Sequence, residues 1–522
     1  MKNFTRFAFA IVLAALAGGA VAGARQQPRE RQAKQQATQQ TLSVRAANSA
    51  MDRWPSGNFA PAGSPPAWTH DQGVLLDGIH AVWINTVNRR DYSYIKHSVD
   101  PLLGAGGSLP TVKPGEHRLV DIALGRPLML LYGVTLKKQY FNAAKELYQQ
   151  LASQPRNVSG GFSASGNEPD VMTLDGIDEA EPFYAEYALT FHHPEAFADI
   201  ARQFALMQEH ARDSKTGLLR EAWDESKQAH GAGKQTDDSA ADSAQGMAWY
   251  MAALVDTIPS FPEGDPGRKQ LIAILNEDAA SIERYQSAKT GLWYHMLDKP
   301  GLVENSPDAT SSCLFVYALA KGVRRGYLPE RYDAVAVRAY KGARSYFATT
   351  GPGGSFALSP SSDPESVGAF ILAGTEAEHI RSAKLGRGDT VMVDGWFNSQ
   401  RLADPTGREI YFHYKWDDQS NPGYSLWGHA FRNFGARTTT LYAEPTFENL
   451  KQAQVYIVAS PDNLDKNPHA NFANAEDAAQ IAAWVKAGGV FVIMENDTSF
   501  ADLDHFNVIS DKFGIHFNSV LR

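Results

Sequence analysis

Between about residues 66 and 380 apolar residues recur at helical spacing, and each periodic stretch ends in a short turn rich in Gly or Pro. Candidate helices run roughly over 71–88, 91–103, 116–133, 137–153, 175–191, 194–211, 243–257, 266–287, 307–325, 329–349 and 363–379, with few strand-like alternations between them. Helices joined by short turns pack as antiparallel neighbours. The pattern therefore implies paired helical hairpins, and six such pairs close into a toroid of inner and outer helices.

After about residue 385 the texture changes. "DTVMVDGWF", "TTTLYA", "AQVYIVASP" and "GGVFVIMEN" are short β-branched runs that alternate with helical stretches near 422–434 and 474–487. Such alternation marks a parallel α/β layer. The expected organisation is a main helical domain over 66–382 and a small or incomplete α/β domain over 383–522.

The N-terminus places Lys2 and Arg6 before an apolar core, Phe7 to Leu16, and a small-residue cleavage signal at Ala20-Val21-Ala22. Residues 1–22 read as a secretory signal peptide, too short in its apolar part to span a bilayer comfortably. The expected location is thus secreted or periplasmic, with no membrane attachment after cleavage. Residues 23–65 are polar and at first Gln-rich, and read as a linker. Cys313 is the only cysteine, so no internal disulfide can form and the fold must rest on core burial. A net charge of −9 without a Lys/Arg run disfavours nucleic acid as a partner. Aromatic residues make up 11% of the chain, which suits a cleft that stacks on sugar faces, although a single Trp more often fills a core.

Several chemistries have no sequence footing. No phosphate loop, dinucleotide Gly fingerprint or Gly-x-Ser-x-Gly elbow occurs. The histidines of "HAFRNFG" and "FHHPEAF" lack zinc-ligand spacing. An amidotransferase reading of the α/β tail fails because Cys313 lies in the helical part. What remains is carboxylate chemistry on helices. "EHRLVDIALGRPLMLLY" sets Asp121 at the start of one apolar helix, and "LDGIDEAEPFYAEYA" sets Asp175 at the start of another. Capping of orphan backbone N–H groups is one account of both residues, and a catalytic role is the other. Asp178, Glu179 and Glu181 read as first-turn decoration or rim.

Eight segments in order, "QGVLLDGIHAVW", "DIALGRPLMLLYG", "QPRNVSGGF", "LDGIDEAEPFYAEYA", "GLLREAWDESKQ", "GMAWYMAALVDTIPSFP", "YQSAKTGLWYHMLDKPG" and "SSCLFVYALAKGVRRGYLP", resemble the unsaturated glucuronyl and rhamnogalacturonyl hydrolases of glycoside hydrolase families 88 and 105. The resemblance covers about residues 66–350 and implies an (α/α)6 barrel. It also implies release of a 4,5-unsaturated uronic acid from lyase-generated oligosaccharides of the rhamnogalacturonan or pectin type. In that chemistry an Asp protonates C4 and water adds at C5. By motif, the acid/base corresponds to Asp175 and its assisting carboxylate to Asp121, while Trp249, Gln245, Trp223 and Asp224 fall at substrate-binding positions. No cofactor or metal is implied, and the oligomeric state is left open.

The chain departs from the family pattern in one direction. Ser163, Ala164 and Ser165 stand where Trp, His and Lys are common, Thr173 replaces a Trp, Glu221 a His, and Gln245 an Arg. A uronate without a cationic partner is costly to desolvate, and Gln keeps a donor but loses the charge and the fork of Arg. Two further readings follow from these losses: a non-catalytic carbohydrate-binding barrel, or a hydrolase of a different glycan.

Overall fold

The computed structural model describes residues 40–61, 63–226, 243–351 and 354–518; the signal-peptide stretch lies outside the described residues. The chain divides between residues 380 and 381 into a helical unit and an α/β unit.

In the helical unit, outer helices alternate with inner ones. The outer set is α1 (Leu42–Arg53), α3 (Arg89–Val99), α6 (Lys138–Ala152), α8 (Ala196–Ala211), α10 (Pro266–Glu283) and α12 (Arg331–Tyr346). The inner set is α2 (His70–Thr86), the broken pair α4 (Leu119–Ile122) and α5 (Gly125–Thr135), α7 (Leu174–Phe191), α9 (Ala244–Thr257), α11 (Ala309–Arg324) and α13 (Pro364–Ala377). This is a mainly α, six-hairpin (α/α)6 barrel. The inner helices are apolar on nearly every side, α11 most of all, because both the outer ring and the neighbouring inner helices pack on them. Where α2 and α13 meet, Gly78 and Gly368 remove the side chains that would separate them: a Cβ on Gly368 would stand 2.5 Å from the Val74 carbonyl oxygen. Two small antiparallel strand pairs, β1 (Val171–Thr173) with β2 (Ala222–Asp224) and β3 (Ala348–Thr350) with β4 (Phe356–Leu358), decorate the unit.

The polar stretch 23–65 is not a linker throughout, because α1 is the twelfth helix of the barrel. Thr41 caps it by accepting from the Val44 amide, and Ala46, Ala47, Ala50 and Met51 form its buried face. Glu378 accepts from the Leu42 and Ser43 amides at 3.0 and 3.2 Å, which ties the helix start to the end of α13.

Each inner helix follows an outer one, so the inner N-termini share one end of the barrel. Five of them carry a side-chain cap, from Thr69, Thr173, Ser243, Asp308 and Asp363. Further down the lumen, Arg126 of α5 holds Asp77 of α2 at 2.8 Å and Asp256 of α9 at 2.5 Å. Asp256 also accepts from the Tyr317 hydroxyl at 2.6 Å and from the Lys321 ammonium. Four inner helices are thereby joined across the lumen.

The α/β unit is a four-stranded parallel sheet in the order β10 (Val490–Met494), β9 (Val455–Ala459), β5 (Thr390–Asp394), β8 (Arg437–Leu441). Trp484, Ile481 and Phe506 cover one face, and Trp416 and Phe431 the other. A hairpin of β6 (Arg401–Ala403) and β7 (Glu409–Tyr411) follows β5.

Candidate active site

The shared N-terminal end of the inner helices gathers carboxyl groups. Thr173 caps α7: its hydroxyl accepts from the Gly176 amide at 3.0 Å. Asp175 is therefore released from that task. Its side chain is open to solvent, yet protein surrounds it on most sides, as befits a group on the wall of a concavity. Burial in that setting, reinforced by the nearby Glu221 carboxylate, pushes Asp175 up to about 6. Asp121 sits in the short helix α4, which has no side-chain cap, and is buried. Burial raises its pKa, Arg118 works against the rise and Glu116 adds to it.

Glu179 lies one turn beyond Asp175 on the same face of α7. Burial, then the charges of Asp175 and Asp121, raise it to about 8, with Arg118 a partial offset. Its carboxyl approaches the His70 ring nitrogen Nδ1 to 3.9 Å. That imidazole stands edge-on to Trp249, with ring centroids 5.0 Å apart, and burial lowers its pKa. Across the mouth, the Gln245 side-chain amide donates to Glu365 at 3.1 Å. Burial and the neighbouring Asp71 and Asp363 charges push Glu365 up to about 7.

Of the six residues singled out in the sequence, Asp175, Asp121 and Gln245 lie on the first turns of inner helices at this end, and Trp249 on the second turn of α9. Trp223 and Asp224 engage other partners. Trp223 stacks face to face on His210, with centroids 3.9 Å apart, and Asp224 accepts from the Ser226 amide at 2.9 Å. The partner of Gln245 is an acid, and Arg220 points to Asp213 at 3.6 Å. Neither supplies a cation to the mouth.

The acids between Asp175 and Tyr184 are not surface decoration. Asp178 is buried on the lumen side, near Arg126 and Asp256, and its pKa is raised well above the usual range by burial. Glu181 is wholly buried on the outer side, near Asp199 and Arg156, and neither carboxyl oxygen has a hydrogen-bond partner among the described residues. Glu179 belongs to the site itself. Its spacing four residues after Asp175 was the available signal. Among the described residues no group of three or more His, Cys, Asp and Glu side chains is arranged to hold a metal ion.

A six-hairpin helical barrel with carboxyl groups at the mouth formed by its inner N-termini is the architecture of the helical-toroid class to which glycosidases belong. Residues 42–380 match the description of Glycosyl Hydrolase Family 88, and the chain belongs to that family. Over 147 residues, 28% of this chain and 62% of the relative, it is 33% identical to Protein Atu3128 of Agrobacterium fabrum. Over 240 residues, 45% of this chain and 65% of the relative, it is 26% identical to the unsaturated rhamnogalacturonyl hydrolase YesR of Bacillus subtilis. The chain thus spans less than two thirds of either curated relative. A glycoside hydrolase of family 105 from C. acetobutylicum ATCC 824 superposes with a TM-score of 0.60 at 29% identity, over 65% of this chain and 99% of that one.

Proposed function

We propose that this glycosidase releases the terminal 4,5-unsaturated uronic acid of lyase-generated oligosaccharides, of the rhamnogalacturonan or pectin type, by hydrating the C4=C5 bond. The observation that carries the reading is Asp175, freed from capping by Thr173, open to solvent, and raised to about 6. A carboxyl group of that pKa is protonated often enough near neutrality to act as an acid and basic enough afterwards to act as a base. Its proton goes to C4, water adds its oxygen at C5, and the water proton returns to Asp175. The resulting hemiketal opens and the aglycone leaves. Asp121, buried beside the site, holds the geometry and charge around the acid. The inner-helix N-termini contribute partial positive charge at the same end. The N-terminal stretch 1–22 supports an exported location, where polysaccharide lyases leave such products.

Loss of the ultraviolet absorbance of the C4=C5 bond on addition of purified protein tests the reading, with Asp175→Asn as the control that stops it. A panel of unsaturated oligosaccharides that all keep their absorbance would sink it. A second reading, a barrel that binds but does not turn over such sugars, is favoured by the partner of Gln245 among the described residues being the acid Glu365 and not a cation; binding without absorbance loss would select it.

A further inference from the structure

We propose that Glu179 is a specificity-determining residue of this mouth: as an uncharged carboxylic acid between Asp121 and Asp175 it leaves room for the substrate's own carboxylate, and its ionisation shuts anionic substrates out. The inference rests on the uronate-binding reading above and adds to it the group that makes an anion tolerable in a mouth where, among the described residues, the exposed Arg118 only partly offsets the acids.

The geometry supplies the argument. Glu179 faces the same space as Asp175, one turn deeper on α7, and from the α2 side meets only His70. Burial, working against the charge of Asp71, lowers the pKa of that imidazole and so favours its uncharged form. From the side of α4, Asp121 faces it, with the exposed Arg118 a partial counterweight. From α13 the nearest charged group to the mouth is Glu365, and it holds the amide of Gln245. Ionised together, Asp121, Asp175 and Glu179 would put three like charges in one poorly solvated space before a fourth arrived with the substrate. With its proton in place up to about pH 8, Glu179 removes one of them. It also offers an O–H donor, a use of a neutral buried carboxylic acid known from other enzymes.

The test is the pH dependence of KM between pH 5.5 and 9.5 for an unsaturated uronyl oligosaccharide and for its methyl ester. Above pH 8, beyond the titration of Glu365, KM for the acid should rise about tenfold per pH unit, because only the protonated fraction binds. Glu179→Gln and Glu179→Met, both permanently neutral, should hold that rise to within about threefold. The uncharged ester should show a flat profile with the unaltered protein. A Glu179→Gln profile that tracks the parent, or an ester profile that rises like that of the acid, overturns the proposal. So does a loss of kcat beyond about a hundredfold in Glu179→Gln at unchanged KM, which would make Glu179 a catalytic group. Calorimetric Kd values on the same series separate this inference from the reaction. Affinity that falls with pH without any absorbance loss keeps the role of Glu179 and removes the hydration reading. Absorbance loss with a flat KM does the reverse, and absence of binding at every pH overturns both.

Discussion

Asp256 and Asp175 are carboxylates on inner helices of one barrel, and burial acts to raise both. Asp256 lies in the lumen against Lys321, Arg126 and the Tyr317 hydroxyl, which outweigh burial and hold it down to about 2. Asp175 lies at the mouth with Glu221 for a neighbour and, among the described residues, no cation offsetting its burial, and stands at about 6. The difference is four orders of magnitude in proton affinity between side chains of identical structure. A buried carboxylate that finds counter-charges becomes a brace, and one that does not becomes an acid. Counter-charge does not always outweigh burial: with Arg126 only 2.8 Å away Asp77 still stands at about 6, and Glu186, which also feels Arg126, at about 7.

The comparison can be broken at several points. The largest effect belongs to Asp175→Asn, which should lower kcat by 10²- to 10⁴-fold, roughly the contribution of a general acid/base, while leaving the thermal midpoint unchanged or higher. A steady-state assay beside a melting curve reads both; an equal fall in stability would mark Asp175 as a brace after all. In the lumen, Arg126→Met should cost about 3–5 kcal/mol of stability, because Asp77 and Asp256 lose a shared partner. Urea titration checks it, and adding Asp256→Asn to the same chain should return part of the loss.

On the outer side of α7, Glu181→Met should stabilise the protein by about 1–3 kcal/mol, since neither buried oxygen has a partner to lose. Destabilisation on that substitution would reveal a partner for the carboxyl. Removing the cap with Thr173→Ala should cost about 1 kcal/mol and move the urea midpoint only slightly.

Asp256 and the acids of the mouth also differ in the sign of their pH dependence. Asp175, Glu179 and Glu365 bind protons more tightly in the folded chain than in the unfolded one. From the unfolded carboxylate range near about pH 4 up to about pH 8 the folded chain holds more protons, so stability should fall as pH rises. Asp256 acts in the opposite sense: its contribution is present above the unfolded value and is lost as pH falls through about 2. Urea midpoints at pH 5, 6, 7 and 8 should decline, and Glu179→Gln should flatten the upper part of the decline.

Much of the barrel is legible in the residues because apolar periodicity and turn residues act locally. Eleven of its helices announce themselves in that way. The helix at Leu42–Arg53 does not, since its buried face is built of Ala46, Ala47 and Ala50, whose small side chains carry little hydrophobic contrast against a polar background. The break between α4 and α5 is hidden for the opposite reason: apolar residues continue across it in "LVDIALGRPLMLLY", and Ala123 and Leu124 keep helical backbone angles where the helix is interrupted. At the site, motif order points to Asp121 and Asp175. It carries no information on which residue caps α7 or on where the sequence-distant His70 and Glu221 come to rest. Glu179 was concealed by its company, because acids in a first helical turn are ordinarily solvated.

The hydroxyl of Thr173 has a consequence for how such a barrel diversifies. Because the helix start depends on position 173, the side chain two places on is relieved of any part in folding. A lineage can exchange the carboxyl group at position 175, or lose it, and inherit the same scaffold intact. The barrel then persists through changes of chemistry, and presence of the fold in a genome counts ancestors more reliably than it counts activities.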